Sequence, residues 1–283
     1  MVAIMAPRHA GPHRLDDGGE SLAESANKQT AGLIIGWVSV ARTVNVAQHA
    51  ARRDAIVDSA QRLVQSKGYE RLTVQDILDD LQISKGAFYH YFDSKPAVIE
   101  ALTERLVADS VRALAPIAAD RELGALEKLQ RFFGEIIRWR SARKSLFVAM
   151  LPVWYGPDNI VFRLQIDVAV ANRLAPLLSA IVRQGVDEDR FATAYPERAG
   201  AIIIALVQAL QGAMAPQLLA AAQRSPEAPH TKEMVATYGA HIEAIERYLG
   251  VAVGTLYRAD SRAVKSWTAA LRRVGTGLAE GTR

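Results

Sequence analysis

The spacing of the apolar residues is the feature that most restricts what this chain can fold into. From about residue 50 to residue 250, apolar side chains recur at intervals of three and four, the period of an amphipathic helix. In a predicted first helix over residues 50–67, Ile56, Ala60, Leu63 and Val64 fall on one such stripe. Runs of alternating β-branched residues and Asn-Gly hairpin turns are missing from the sequence. We therefore predict an all-α fold.

Changes in composition divide the chain into four predicted segments. Residues 1–48 are rich in Gly, Ala and Ser without a sustained period, so we expect a disordered extension; a start site further along the gene is the alternative. Residues 49–103 and 104–250 are predicted to form two helical domains, in keeping with ~100–200 residues per domain. Residues 251–283 carry six basic and two acidic residues, so this C-terminal extension accounts for the formal net charge of +4.

Several classes of protein are disfavoured by what the sequence lacks. It contains no Cys, which excludes disulfides, thiolate nucleophiles, zinc–thiolate sites and iron–sulfur clusters. The apolar stretch 31–41 is shorter than the ~20 residues that span a bilayer, and the stretch 199–215 is interrupted by Gln208 and Gln211, so no membrane span is expected. Metalloprotease, hydrolase and phosphate-loop motifs are missing, so we expect no enzyme, no cofactor and no metal.

Two short helices joined by a brief link are predicted between residues 73 and 91. Thr73 and Ser84 are suited to cap their first turns, and Ser94 is suited to cap a fourth helix. Two short helices joined by about three residues form a helix-turn-helix. The start of the second is small or basic, as entry into a major groove ~12 Å wide requires: Ser84, Lys85, Gly86 and Ala87. An ordinary three-helix packing unit is the alternative.

The same segment resembles the DNA-binding signature of the tetracycline-repressor-like (TetR) family. The resemblance is carried by TVQDIL at residues 73–78 and by ISKGAFYHYFDSK at residues 83–95. It extends from about Arg52 to Leu102 and includes the Gly68-Tyr69 pair. It implies an N-terminal three-helix helix-turn-helix domain followed by a larger α-helical domain for ligand binding and dimerisation.

The resemblance also implies which residues contact DNA. In the family, the positions of Lys85, Gly86 and Ala87 lie against base edges, and a lysine can donate to guanine O6 and N7. Gln75 occupies a position from which some members also reach a base. The other implied contacts, chiefly with the DNA backbone, are Arg52, Arg53, Thr73, Ser84, Tyr89, His90, Tyr91 and Lys95.

One position departs from the family pattern. The family commonly has an aromatic residue and then His after the Tyr, whereas the order here is His90-Tyr91. Tyr91 therefore stands where a phosphate-contacting His often stands, and a phenol donates one hydrogen bond but cannot become a cation. We expect His90 to touch a base or a phosphate.

Aromatic residues and Met cluster between residues 132 and 162, as in a helical cavity for an apolar ligand. The predicted lining is Trp139, Phe147, Met150, Trp154 and Phe162, with plain core packing as the alternative. Arg138, Arg140, Arg143 and Lys144 form a basic cluster on this segment. We expect a solvated face there, from which one Arg is able to pair with an acidic ligand or acyl thioester.

Two long apolar helices are predicted near residues 195–222 and 231–250. Seams on both are able to pair with the same helices of a second copy about a twofold axis, which is also where the resemblance places the dimer contact. Packing within one chain is the alternative. The predicted interface residues are Ile203, Val207, Leu210, Met214, Tyr238, Ile242, Ile245 and Leu249.

The patterns and the resemblance together predict a ligand-responsive transcriptional regulator that acts as a repressor. Its expected partners are double-stranded DNA with a palindromic operator, a second copy of itself, and an unknown small apolar or amphipathic effector that releases it. A helix-turn-helix protein controlled by a protein partner is the alternative. We expect it in the cytoplasm, associated with the nucleoid, with no membrane partner.

Overall fold

The computed structural model describes residues 24–156, 159–223 and 230–279, and within these ranges the regular elements are all helical. The predicted all-α class is confirmed. The chain divides into two compact units, residues 1–52 and residues 53–283. The helices are α1 (Glu24–Lys67), α2 (Val74–Leu81), α3 (Lys85–Tyr89), α4 (Lys95–Ala119), α5 (Ala125–Ala142), α6 (Lys144–Tyr155), α7 (Ile160–Asp187), α8 (Pro196–Gln223), α9 (His230–Leu249) and α10 (Ser261–Ala279).

The first helix is longer than the sequence predicts. We expected it to begin near residue 50 after a disordered arm, but α1 begins at Glu24, so disorder over residues 24–48 is a wrong expectation. The physical reason is that alanine is abundant there and no proline occurs between residues 13 and 95, so nothing forces the helix to stop. Residues 1–23 lie outside the described ranges.

The helix-turn-helix is set by three capping residues, as the sequence predicts. The side chains of Thr73, Ser84 and Ser94 accept hydrogen bonds from the first turns of α2, α3 and α4. Between α2 and α3, Gln82 closes α2 in the left-handed conformation, with a φ of 51°. These three helices therefore begin where predicted.

One core holds the helix-turn-helix and the helix α6 together. Ile77, Phe88 and Leu102 are fully or almost fully buried in it, and so is Met150 of α6. The helix α4 runs unbroken across residues 103 and 104, where we predicted a domain boundary. Division of the chain at that point therefore remains a prediction.

The second core lies among α5, α7, α8 and α9. The longest pair, α7 and α8, approach so closely that a Cβ on Gly200 would stand 1.9 Å from the carbonyl oxygen of Ala175. Only glycine fits at that crossing. By length and composition, α7 and the 196–220 part of α8 are able to span a membrane, whereas we expected no such helix from the sequence. Core helices of soluble proteins share these two properties.

This core corrects the predicted dimer seam. Five of the eight predicted interface side chains are buried within the single chain. Four of them lie in this core, namely Ile203, Ile242, Ile245 and Leu249, and the fifth is Leu210. Side chains buried in this way are not available to a second copy. The other three, Val207, Met214 and Tyr238, are half-buried.

The C-terminal extension is a packed part of the fold. The connection after α9 is held by the buried carboxylate of Glu246, which accepts hydrogen bonds from the backbone of Gly254 and Leu256 and pairs with Arg258 at 2.7 Å. The helix α10 then packs against α6, where Leu271 and Val148 share a small core.

Candidate nucleic-acid interface and ligand cavity

The start of α3 is exposed while its middle is fixed in the core. The Ser84 hydroxyl accepts a hydrogen bond from the backbone N–H of Ala87 at 3.1 Å. Phe88 is 0% exposed, whereas Lys85 and Gly86 are on the surface. Because the buried ring fixes the rotation of this five-residue helix, its first turn points outward, as entry into a major groove requires.

Gly86 leaves open space beside the helix. A Cβ built there would have only the Ser84 hydroxyl within 4 Å, at 4.0 Å. The fold of the described chain therefore does not require glycine here, and alanine would favour the helix more. A glycine at such an exposed position is suited to the close approach of another molecule.

The residues that follow Phe88 differ in exposure. Tyr89 is 45% exposed, and the Lys85 ammonium lies 6.0 Å from the centre of its ring. His90 is exposed, while Tyr91 is half-buried against the first core, with the two rings edge to face at 5.1 Å. His90 therefore has the better access to DNA of these two, although no described contact tests that role.

The N-terminus of α2 already carries a carboxylate. Asp76 accepts hydrogen bonds from the backbone and hydroxyl of Thr73, both at 2.7 Å, and forms an ion pair with Lys67 at 2.5 Å. The Lys67 ammonium, followed by Thr73, lowers the pKa of Asp76 from 3.8 to about 2. A phosphate at Thr73 would meet this negative charge, so its predicted backbone contact remains a prediction.

Gln75 of α2 and two arginines of α1, Arg52 and Arg53, are on the surface. The Gln75 amide donates to Asp79 at 2.7 Å, which holds the side chain along α2. The Arg53 guanidinium lies 4.9 Å from the centre of the Phe92 ring, and Arg52 is exposed. Contacts from these residues to bases or phosphates stay predictions.

Lys95 is held within the protein. Its ammonium donates to the carbonyls of Tyr69 and Leu72 at 3.2 and 3.0 Å and lies 4.1 Å from the centre of the Tyr69 ring. The side chain thereby ties the start of α4 to the loop before α2. Only one of its three N–H donors is left for the predicted phosphate contact.

A cavity of about 220 Å³ lies among α4 to α9, and a second of about 290 Å³ shares part of its wall and extends to α10. Together they reach the ordinary size of ligand sites, roughly 300–1,000 Å³. Of the predicted lining, Trp139, Phe147 and Trp154 are present, with ring centroids of successive members 5.5 Å apart. Met150 and Phe162 are not part of either wall, because both side chains pack in the first core instead.

The cavity also carries polar groups. Arg140 lines both parts, and so do Tyr155 and Tyr238. Burial raises the pKa of both tyrosines, that of Tyr238 to about 12. Burial also raises the pKa of Asp167, against the opposing effect of Arg163. The site therefore combines aromatic walls with a few charged groups.

Two residues that line this cavity were assigned to other surfaces from the sequence. Arg140 was placed with a solvated basic cluster, and Tyr238 was placed in the dimer seam. The signal for Arg140 was available, since it stands four residues after Ile136 and three after Ile137, on the apolar stripe of α5. Nothing in the pattern of α9 distinguishes Tyr238 from the seam residues beside it.

A capped helix-turn-helix with an outward recognition-helix start defines a DNA-binding protein. Residues 56–102 match the family described as bacterial regulatory proteins, tetR family. Over these residues the chain therefore carries a DNA-binding domain of the TetR type.

Curated relatives resemble part of the chain. The transcriptional repressor DhaR of Mycobacterium sp. (strain GP1) is 28% identical over 85 residues, covering 30% of this chain and 43% of DhaR. The regulator EthR of Mycolicibacterium smegmatis is 35% identical over 86 residues, covering 29% of this chain and 40% of EthR. The negative regulator IcaR of Staphylococcus aureus is 28% identical over 85 residues, covering 30% and 45%. The matches thus span less than half the length of these relatives.

Solved structures also resemble it. Thermus thermophilus FadR, a TetR family repressor in complex with lauroyl-CoA, has 19% identity and a TM-score of 0.49, covering 71% of this chain and 96% of FadR. A transcriptional regulator from Cytophaga hutchinsonii has 13% identity and a TM-score of 0.49, covering 80% and 96%.

Proposed function

We propose that the protein is a repressor that binds a palindromic operator as a homodimer and is released when a small amphipathic effector enters the cavity. The observation that carries the proposal is the exposed turn from Ser84 to Ala87, fixed by the buried Phe88 ring. DhaR is named a repressor and IcaR a negative regulator, which supports repression rather than activation. Its place of action would be the nucleoid in the cytoplasm.

In this proposal α3 enters the major groove. Lys85 donates to base edges, and the open space at Gly86 lets the helix backbone approach the DNA. Tyr89, His90 and Arg53 contact the phosphates on either side and fix the register. Lys95 acts mainly by holding the loop before α2, through its two carbonyl contacts.

The exposed apolar face of α7 and α8 supports pairing with a second copy. Val161, Leu164 and Val168 of α7 are 70%, 54% and 58% exposed. The Gln208 amide donates to the Asp167 carbonyl at 2.7 Å, which fixes α8 beside this stretch of α7. The exposed residues of α8 nearby are mostly small and permit close helix approach: Ile202, Ala205, Ala209 and Gly212. Two such helix pairs about a twofold axis would form a four-helix interface, matching a palindromic operator.

The release step follows from the contact between the cavity and α4. Trp154 lines the cavity and donates to Thr103 of α4. An effector that fits one arrangement of Trp154 better than another favours the corresponding position of α4 and hence of α3. A protein partner in place of a small effector would leave this cavity without a role.

Selection from random-sequence DNA by the purified protein tests the proposal. We expect enrichment of one palindrome whose half-sites lie about one helical turn apart or somewhat more. Lys85→Ala should lose the preference at specific positions of each half-site. Arg138→Gln, which changes an exposed arginine of α5, should leave the enriched sequence unchanged. Recovery of no symmetric sequence would contradict the proposed function.

A further inference from the structure

Arg140 is a half-buried cation that lacks an acidic partner in the described part of the chain. Its guanidinium lies 5.5 Å from the centre of the Phe147 ring, and Tyr155 and Tyr238 line the same two cavities. Burial lowers its pKa, yet an arginine stays protonated in proteins. A charge that is partly removed from water gains from a partner of opposite sign, so the binding of an anion beside Arg140 is favoured.

The other charged groups of the two cavities leave an excess of positive charge. Arg163 and Asp167 line the first part, with the Arg163 guanidinium 5.6 Å from the centre of the Tyr155 ring. Lys144 lines the second part and donates to the hydroxyl of Ser266 at 2.6 Å. Among the described lining residues, three cations therefore face a single carboxylate, and an anionic ligand is favoured over a cationic one.

We propose that the cavity binds an amphipathic organic acid, whose carboxylate pairs with Arg140 and whose apolar part lies among the aromatic rings and against α10. The inference rests on the proposed function, because it names the chemical class of the effector. A planar guanidinium binds a carboxylate with two parallel hydrogen bonds. Tyr155 and Tyr238 line the same two cavities as Arg140, and their hydroxyls are able to donate to the same group.

The C-terminal extension completes the apolar wall. Trp267 and Val264 of α10 line the second cavity. The Glu246–Arg258 pair fixes the preceding loop, and the ring of Tyr257 in that loop packs edge to face on Tyr238 at 6.3 Å. The apolar part of the ligand therefore meets α10 while its acid group stays at Arg140.

Calorimetric titration of the full chain, without DNA, tests the inference with two matched series of probes. One is octanoate, octanol and octylamine; the other is phenylbutyrate, phenylbutanol and phenylbutylamine. In at least one series we expect the acid to bind at least about tenfold more tightly than the alcohol, and the amine to bind most weakly. Equal binding of acid and alcohol, or binding of neither acid, would overturn the inference.

Single substitutions distinguish the contribution of the Arg140 charge to ligand binding from that of the apolar wall. Arg140→Gln should remove the preference for the acid, and Arg140→Lys should keep part of it. Arg138→Gln, two residues away and exposed, is the control and should change nothing. Trp267→Ala should weaken acid and alcohol alike, with thermal unfolding followed in parallel to confirm a folded protein. A preference that survives Arg140→Gln would overturn the assignment.

The outcome for the proposed function is read separately, from DNA release. An acid that binds through Arg140 but does not release DNA supports this inference and contradicts the proposed release. A neutral compound that releases DNA, with no preference for acids, supports the proposed function and overturns this inference.

Discussion

The indole Nε1 of Trp154 donates a hydrogen bond to the hydroxyl of Thr103 at 3.4 Å, and this contact joins the cavity to α4. The Thr103 hydroxyl donates in turn to the carbonyl of Ile99 at 2.9 Å, so the chain of hydrogen bonds ends in the backbone of α4. The helix α4 begins at Lys95, shortly after α3 ends at Tyr89. In the proposed release step, a shift of Trp154 reaches the recognition helix through this one continuous helix.

A double-mutant cycle measures this contact. We expect Trp154→Phe and Thr103→Val to be non-additive, with a coupling of about 0.5–1 kcal/mol in the free energy of unfolding, because the bond is buried but long. Chemical denaturation of the two single variants and the double variant provides the value. Additive effects would mean that the two side chains are not coupled.

Gly86→Ala should separate folding from DNA binding. Because a Cβ at this position meets no close neighbour and alanine is the better helix former, we expect unchanged or increased stability, by up to about 1 kcal/mol. The added methyl group should nevertheless weaken operator binding by crowding the DNA. Gly134→Ala, at another helical glycine with nothing within 4 Å of its Cβ, is the control for the helix effect.

Thermal unfolding and operator affinity are measured for both glycine variants. Operator affinity should fall for Gly86→Ala alone. If Gly86→Ala binds the operator as well as the native protein, the close approach of DNA at Gly86 is ruled out.

The cap of α2 makes the stability of the protein depend on pH in the acid range. The pKa of Asp76 is lowered to about 2, so its carboxylate form is favoured by folding. Its stabilising contribution is complete above the unfolded pKa of 3.8 and is lost as the pH falls through about 2. Because this side chain is near the surface, we expect a contribution of about 1 kcal/mol.

Urea denaturation between pH 6 and about pH 2 compares the native protein with Asp76→Asn. The difference in the free energy of unfolding between the two proteins should shrink toward acid pH. The reason is that the unsubstituted protein loses the charge of the Asp76 carboxylate by protonation, whereas Asp76→Asn has no charge there to lose. Asp54→Asn, at an exposed position of α1, is the control. A difference that stays constant with pH would show that the Asp76 charge does not stabilise the fold.

The proposed dimer face is tested by placing charge on α7. Leu164→Glu should dissociate the dimer, because the substitution puts like charges near the twofold axis in an apolar contact. Gln165→Glu adds the same charge at the neighbouring exposed position and should weaken the dimer less than Leu164→Glu does. Sedimentation measures the mass, and a dimer that withstands Leu164→Glu would contradict pairing through this face.

Local signals in the sequence were enough to predict the helix-turn-helix. The caps at Thr73, Ser84 and Ser94 act within one turn of the chain, so their effect does not depend on distant residues. The partner of Lys95 could not be predicted in this way, because Tyr69 and Leu72 lie more than twenty residues earlier in the chain. Only the folded structure brings their carbonyls to its ammonium.

The same difference explains the errors in the second domain. An apolar stripe predicts that Ile242 or Leu249 is buried, but it does not identify which helix covers it, and α8 and α9 prove to be covered from within the chain. The aromatic cluster predicted a cavity near Trp139, Phe147 and Trp154, while Met150 shares their segment and packs on another side. Periodicity identifies the buried faces of these helices, and tertiary packing decides their partners.

The central claim is that the first turn of α3 recognises specific DNA bases, and operator affinity across a salt series tests it most directly. The native protein should prefer the selected palindrome to a shuffled duplex. Lys85→Ala should reduce that preference by about 1–3 kcal/mol without lowering affinity for shuffled DNA, since its contact is with a base. Arg53→Gln should instead weaken binding to both duplexes and reduce the dependence of affinity on salt concentration. Equal affinity of the native protein for both duplexes, or a preference unaffected by Lys85→Ala, would contradict the account.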